Sequence, residues 1–228
     1  RRKQIMSILV LIRHGECLWH SKNNFTGWMD VPLSSEGIID AIKAGNRIAG
    51  ISLDLVVASL QIRAIETAMI ALTQCKNDKT PMLVRDDETI ENWITSNREI
   101  MQKGIIPVFR NRTLNIQCEL LENSNIEIRE TKDNPIRPWC YSYDKPLHND
   151  ACMNDTAKRT IPFFEKTIIP LLKNGKNIML SAHNNSLRPI VSFIDEQIKD
   201  KTSELELHTG KPLCFEFING KVKLKHFD

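Results

Sequence analysis

The chain has 228 residues, a formal charge of +3, and 41% apolar and 26% charged residues, which suits one large α/β domain or two small ones of ordinary soluble composition. The charge is small and the lysines and arginines are scattered, so nucleic acid is not expected as a partner, and no apolar run is long enough to make a membrane one. Cysteines at 17, 75, 118, 140, 152 and 214 include no C-x-x-C pair, which argues against a disulfide framework or a zinc site and for reduced thiols in the cytoplasm.

The continuous apolar run Ile8 to Ile12 predicts a central parallel strand buried on both faces. "SILVLI" (Ser7 to Ile12) is too short to span a bilayer and, lacking a small-residue cleavage site, reads poorly as a signal peptide. "PLSSEG" predicts a loop and a helix start capped by Ser34 or Ser35, with Ile38, Ile42 and Ala49 near helical spacing through Gly50. "LDLVVAS" (Leu53 to Ser59) reads as a second strand. A one-sided helix carrying Ala64, Ile65, Ala68, Met69 and Leu72 follows it.

From Lys76 to Leu147 the chain reads as polar and irregular, marked by Pro81, Pro107, Pro135, Pro138 and Pro146, with "IIPVF" (Ile105 to Phe109) as a further strand. Asn154 to Leu172 predicts a helix with Ile161, Phe164, Ile168 and Leu172 on one face. "NIMLSA" (Asn177 to Ala182) is a strand, and "NNSLRPIVSFI" a helix in which Pro189 is tolerable only within the first turn. Alternation around Asn219-Gly220 predicts a C-terminal β-hairpin. The expected fold is an α/β three-layer sandwich: a mostly parallel central sheet with helices on both faces and that hairpin at its end.

Ligands in such sheets bind beyond the carboxyl ends of the strands. Arg13-His14, Ser59 to Arg63 and His183 each follow a strand, so they should share one edge. A histidine ring nitrogen can act as a nucleophile. A phosphoryl group on it needs cations at its equatorial oxygens, which Arg13 and Arg63 can supply in a planar fork, with His183 donating from the other side. Glu16 is placed to orient these groups, and Asn185, entering a helix, to bind an anion. Taken singly, each has a plainer reading: a core histidine, a solvated arginine, a helix cap. Cys17 reads as a small packing residue. The combination at three strand ends is what points to a site.

"LIRHGE" resembles the phosphohistidine motif of the histidine phosphatase superfamily, and "RHGECLWHSKNNFTGWMDVPLSSEG" (Arg13 to Gly37) resembles its cofactor-dependent phosphoglycerate mutases. "SLQIRAIETA", "SAHNNSLRPIV" and "LELHTGKPLCFEF" match further blocks of that family. Together these blocks cover somewhat over half of the chain. The resemblance implies one mutase-like domain over 1–228, with a divergent region at about 76–150. It implies that His14 is the phosphorylated nucleophile, that Arg13, Arg63 and His183 complete the phosphate pocket, and that Glu16 is the acidic neighbour. Thr26, Gly27, His20 and Asn185 match substrate-side positions, His20 standing where the family has asparagine. It further implies a phosphorylated small-molecule substrate, 2,3-bisphosphoglycerate as priming cofactor and no metal. The implied reaction interconverts 3- and 2-phosphoglycerate, an isomerase step of glycolysis, and the family's oligomers allow a homodimer.

Departures from the pattern lie in the middle of the chain. In "LNIQCEL" Ile116 stands where the family has its proton-donating glutamate, and Gln117, Cys118 and Glu119 replace the three residues after it. In "PWCYSYDKPL" Cys140 and Tyr141 replace a pair of arginines that clamp the substrate carboxylate. Phosphatase branches carry an aspartate directly after the second histidine, where this chain has Asn184. Loss of a positioned general acid costs about 10²–10⁴ in rate, and Glu88, Glu91, Glu119 and Glu122 are the carboxylates near enough in sequence to substitute. A histidine phosphatase acting on a phosphomonoester, and a catalytically weakened phosphate-binding relative, are therefore the alternatives to the mutase.

Overall fold

The computed structural model describes residues 6–18, 30–75, 79–85, 89–116, 153–195, 205–218 and 221–225. Seven strands form one sheet: β1 (Met6–Arg13), β2 (Leu55–Ala58), β3 (Thr80–Leu83), β4 (Ile105–Arg110), β5 (Ile178–Ala182), β6 (Leu213–Ile218) and β7 (Lys221–Lys225), in the spatial order β3-β4-β2-β5-β1-β6-β7. The first five positions in that order are mutually parallel, whereas β6 is antiparallel to β1 and β7 to β6. The expected hairpin is therefore present, and it closes one side of the sheet.

Seven helices accompany the described strands: α1 (Ser35–Arg47), α2 (Ile62–Thr73), α3 (Ile90–Ser96), α4 (Arg98–Gln102), α5 (Met153–Phe163), α6 (Ile169–Lys173) and α7 (Asn184–Ile194). The apolar runs in the strands pack on both faces because successive side chains point opposite ways. Leu9, Leu11, Leu55, Val57 and Leu180 join Phe164, Leu172 and Ile190 in one core layer. Val10, Ile12, Val56 and Met179 join Ala44, Ala68 and Leu72 in the other. This is the three-layer arrangement expected from the sequence.

Several local expectations are corrected. The buried face of α1 is not Ile38 and Ile42 but Gly37, Ala41, Ala44 and Gly45, and Ile38 is exposed. The reason is close packing on α2: a Cβ at Gly45 would lie 2.4 Å from the Ala71 carbonyl oxygen, so only small residues fit. Ser34 is the cap, its hydroxyl accepting from Gly37 N. The stretch read as irregular contains β3, α3 and α4, with Pro81 in an edge strand, where a missing N–H is tolerated. Pro107 lies inside β4 opposite Met82, one residue before that strand's register with β2 begins at Val108.

Pro189 lies in the second turn of α7, not the first. Burial of Leu187, Ile190 and Val191 against the sheet holds the helix across the lost bond. The helix expected over 154–172 is interrupted by a wider turn at Phe164–Ile168, where Ile169 N bonds to Phe164 O. Such turns shift the hydrogen-bond register, and this one immediately precedes Pro170, which has no N–H to offer.

Candidate active site

Strand β5 lies between β1 and β2, so the residues leaving these three strands meet at one edge. The ladder extends one residue past the strand ends: His14 N donates to Ala182 O at 3.0 Å and Ser59 N to Ser181 O at 3.0 Å. Gly15 follows with its N–H on Thr67 Oγ1 at 3.0 Å, and a Cβ there would lie 2.3 Å from Gly37 O. Glycine is thus required for this turn to fit beneath the start of α1. Here α1 begins against the chain that carries the histidine: Ser34 donates through Oγ to Glu16 Oε1 at 2.8 Å and through N to Glu16 O at 2.9 Å.

His14 and His183 are 5% and 1% exposed, with ring centroids 4.9 Å apart and planes at 61°. His14 Nδ1 is 2.7 Å from Gly15 O. A carbonyl only accepts, so Nδ1 carries the hydrogen of the neutral ring and the lone pair resides on Nε2. His183 Nε2 is 2.9 Å from Ser59 Oγ. His183 Nδ1 is buried without a hydrogen-bond partner. Burial first, then the neighbouring His14 and the charges of Arg63, Arg159 and Arg13, hold His183 well below the usual histidine range, so the ring is neutral at physiological pH.

Arg63 is fully buried in the first turn of α2. Desolvation lowers its proton affinity, and Cys17 and Asp30 act against that loss; Asp30 also accepts from Ile62 N at 2.6 Å. Arg13 Nη1 donates to Leu207 O at 2.9 Å and lies 3.6 Å from Glu206 Oε1, while its Nε is buried and unpartnered. The structure therefore brings together Arg13, His14, Arg63 and His183. It places the Glu16 carboxylate on the Ser34 hydroxyl that caps α1, and Asn185 half-buried in the first turn of α7. His20, Thr26 and Gly27 lie outside the described residues, as do Glu88, Gln117, Cys118, Glu119, Glu122, Cys140 and Tyr141. Glu91 is exposed on α3. The side chain of Asn184 is taken up by Leu207 N, which donates to its Oδ1 at 3.2 Å.

Two residues packed beside the site escaped the sequence reading. Arg159, on α5, donates through Nη1 to Thr113 O and through Nη2 to Asn115 O at 2.6 Å, and burial draws its guanidinium down to about 10. Asn115 is 2% exposed. Its Oδ1 accepts from Leu60 N at 2.8 Å and its carbonyl from Ser186 Oγ at 3.1 Å. It thereby ties the exit of β4 to the residues beside Ser59 and His183. The available signal was a basic residue three positions after Thr156, on the buried side of α5 with Thr160. Ile116, which follows Asn115, is half-buried.

Buried donors without protein acceptors are costly. Among the described residues, the atoms in that condition include Arg13 Nε, Arg159 Nε, Asn115 Nδ2 and His183 Nδ1, and two of them belong to arginines. Such a set suits an anion with several acceptor oxygens, and a phosphate has this chemistry. The Nε2 lone pair of His14, set by the Nδ1 contact with Gly15 O, adds a nucleophile to it.

The family model described as histidine phosphatase superfamily (branch 1) matches residues 9–93. The chain is 36% identical over 219 residues to the 2,3-bisphosphoglycerate-dependent phosphoglycerate mutase of Chlamydia muridarum, covering 95% of this chain and 96% of that one. It is 38% identical to the protein of the same name from Chlamydia caviae, covering 92% and 93%. Among solved structures, a mycobacterial glucosyl-3-phosphoglycerate phosphatase complexed with VO3 aligns with a TM-score of 0.67 at 17% identity, covering 96% of this chain and 97% of that one. An Entamoeba histolytica phosphoserine phosphatase in complex with 3-phosphoglyceric acid aligns at 0.64 and 18%, covering 97% and 96%. At these identities the two structures bear on the fold alone.

Proposed function

Because the chain belongs to the 2,3-bisphosphoglycerate-dependent phosphoglycerate mutase family, we propose that it interconverts 3- and 2-phosphoglycerate through a phosphohistidine at His14. The observation that carries this reading is the His14 Nδ1 contact with Gly15 O at 2.7 Å. It leaves Nε2 as the nucleophilic atom beside Arg13, Arg63 and a neutral His183. On this reading the whole chain forms one mutase-like domain working in the cytoplasm as a glycolytic isomerase, as a homodimer. No helix among the described residues is long and apolar enough to cross a membrane.

The residues present suit 2,3-bisphosphoglycerate, since buried donors without protein acceptors and two arginines at the site match a polyanion. When bound, that cofactor supplies the phosphoryl group that primes the enzyme. His14 Nε2 would provide the electron pair for a P–N bond as the donor's P–O bond breaks and the released oxygen takes up a proton, and Gly15 O would stabilise the imidazolium-like ring through Nδ1–H. Arg13 and Arg63 offset charge on the equatorial oxygens, where phosphoryl transfer needs it. Thr26, Gly27, His20 and Asn185 are proposed to hold the glycerate end. Glu16 supports the nucleophile's turn through Ser34.

One observation favours a second reading. Ile116 is a half-buried apolar side chain at the position matched to the family's proton donor, and it cannot protonate a leaving oxygen. The second reading is a relative that keeps the phosphate pocket with weakened turnover, or acts as a phosphatase. The deciding assay follows 3-phosphoglycerate and 2-phosphoglycerate in both directions, with and without 2,3-bisphosphoglycerate, for the wild type and His14→Asn. The mutase reading expects priming-dependent interconversion that is lost in His14→Asn. Phosphate release without interconversion, or tight phosphate binding with neither activity, contradicts it.

A further inference from the structure

We infer that Ser59 is a positioning residue: its hydroxyl donates to His183 Nε2, fixing the ring as the Nδ1–H tautomer and aiming that hydrogen at the phosphoryl oxygens. The inference rests on the phosphate-binding part of the function proposed above, and deepens it by naming the residue that fixes the second histidine's tautomer.

The derivation begins with one hydrogen. Ser59 is fully buried at the carboxyl end of β2. Its Oγ accepts from Gln61 N at 3.3 Å and lies 2.9 Å from His183 Nε2. A serine hydroxyl has one hydrogen and two lone pairs. If Nε2 carried a hydrogen, Oγ would accept from both Nε2 and Gln61 N, and the hydroxyl hydrogen would be buried without an acceptor. Among the described residues, Nε2 is the acceptor that this hydrogen reaches. The order Gln61 N–H to Ser59 O–H to His183 Nε2 satisfies all three groups.

A neutral imidazole with an accepting Nε2 must carry its hydrogen on Nδ1. Nδ1 is the atom that is buried with no protein partner, on a ring 1% exposed and 4.9 Å from the nucleophile's ring. Burial, and after it His14 and the surrounding arginines, disfavour a second proton on this ring, so the tautomer alone decides whether Nδ1 donates or accepts. In the Nδ1–H form it donates to an anion. In the Nε2–H form it would turn a lone pair toward the phosphoryl oxygens and repel them. The backbone holds the relay in register, since Ser59 N bonds to Ser181 O, two residues before His183. The same strand-end geometry that brings the histidines together thus sets the tautomer of one of them.

The test uses full-length protein labelled with ¹⁵N-histidine. Long-range ¹H–¹⁵N spectra separate a protonated ring nitrogen from a lone-pair nitrogen, and the His183 signals are identified by their loss in His183→Gln. The wild type is expected to show protonated Nδ1 and unprotonated Nε2. Ser59→Ala should give a mixture of tautomers, with vanadate affinity falling about tenfold or more. Ser59→Thr, which keeps the hydroxyl, should restore both. A wild-type ring protonated at Nε2, or a Ser59→Ala ring with an unchanged tautomer, overturns the assignment. The spectra do not depend on turnover. A protein with the expected tautomer and no mutase activity would contradict the proposed function while upholding the role of Ser59.

Discussion

At the residue scale, the decisive features are protons and where they are withheld. His183 is neutral in the fold because burial, the adjacent His14 ring and three arginines disfavour its cation. The unfolded chain binds that proton near pH 6.5. Stability from the depressed group is therefore fully present above that pH, and is lost as pH falls from there toward the folded value. The expected outcome is a wild-type stability curve steeper than that of His183→Gln by up to about 1.4 kcal/mol per pH unit below pH 6.5, measured by urea unfolding. Parallel curves would contradict it. Arg159→Met should cost about 1–3 kcal/mol, because the Thr113 and Asn115 carbonyls lose their charged donor. It should also raise the His183 pKa, seen by NMR titration. Restoring a carboxylate with Ile116→Glu should raise mutase turnover, by up to about 10²–10⁴ if the missing acid is the only deficit; a fall in kcat would place the donor elsewhere. The four central residues were legible in the sequence because each follows a strand. Arg159 and Asn115 were not, since their role depends on carbonyls far along the chain that only the packed α5 brings within reach.

At the element scale, the contact between α1 and α2 positions the site, since α1 starts beside Glu16 and α2 carries Arg63 in its first turn. It relies on an approach that admits no side chain at Gly45. Gly45→Ala should gain helix propensity but force the helices apart, with a net loss of about 1–3 kcal/mol by urea unfolding and reduced phosphate affinity. Unchanged stability would show that the contact yields freely. This packing also explains why the apolar periodicity of α1 misled. Spacing identifies large apolar residues, whereas a close helix pair buries its smallest ones and leaves Ile38 outside. The strands were legible because β1, β2 and β5 are buried on both faces and read as unbroken apolar runs. Edge strand β3 was not, since a short strand beginning Thr80-Pro81 has the composition of a loop. Pro189 misled for a similar reason: local geometry favours the first turn, and tertiary burial of its neighbours overrides that preference.

At the scale of the whole molecule, the small net charge of +3 conceals a concentration of buried cations at one edge of the sheet. An anion bound there should stabilise the fold by linkage, by about 2.7 kcal/mol at a hundredfold excess over Kd. Vanadate or inorganic phosphate should accordingly raise Tm in wild type and much less in Arg63→Met. An equal shift in both would place the anion elsewhere. The composition gave no hint of this site, because averaging over the chain cancels arginines at the edge against carboxylates on the surface. The three strand ends located it, and the motifs that they carry resemble the family's phosphate pocket. The claim on which the account turns is that His14 accepts a phosphoryl group through Nε2. It is tested most directly by incubating the protein with 2,3-bisphosphoglycerate, quenching in alkali, and mapping acid-labile phosphate by peptide and by ring nitrogen. The account predicts phosphate on Nε2 of His14, absent in His14→Asn. A phosphoryl group on any other residue, or none at all under saturating cofactor, would contradict it.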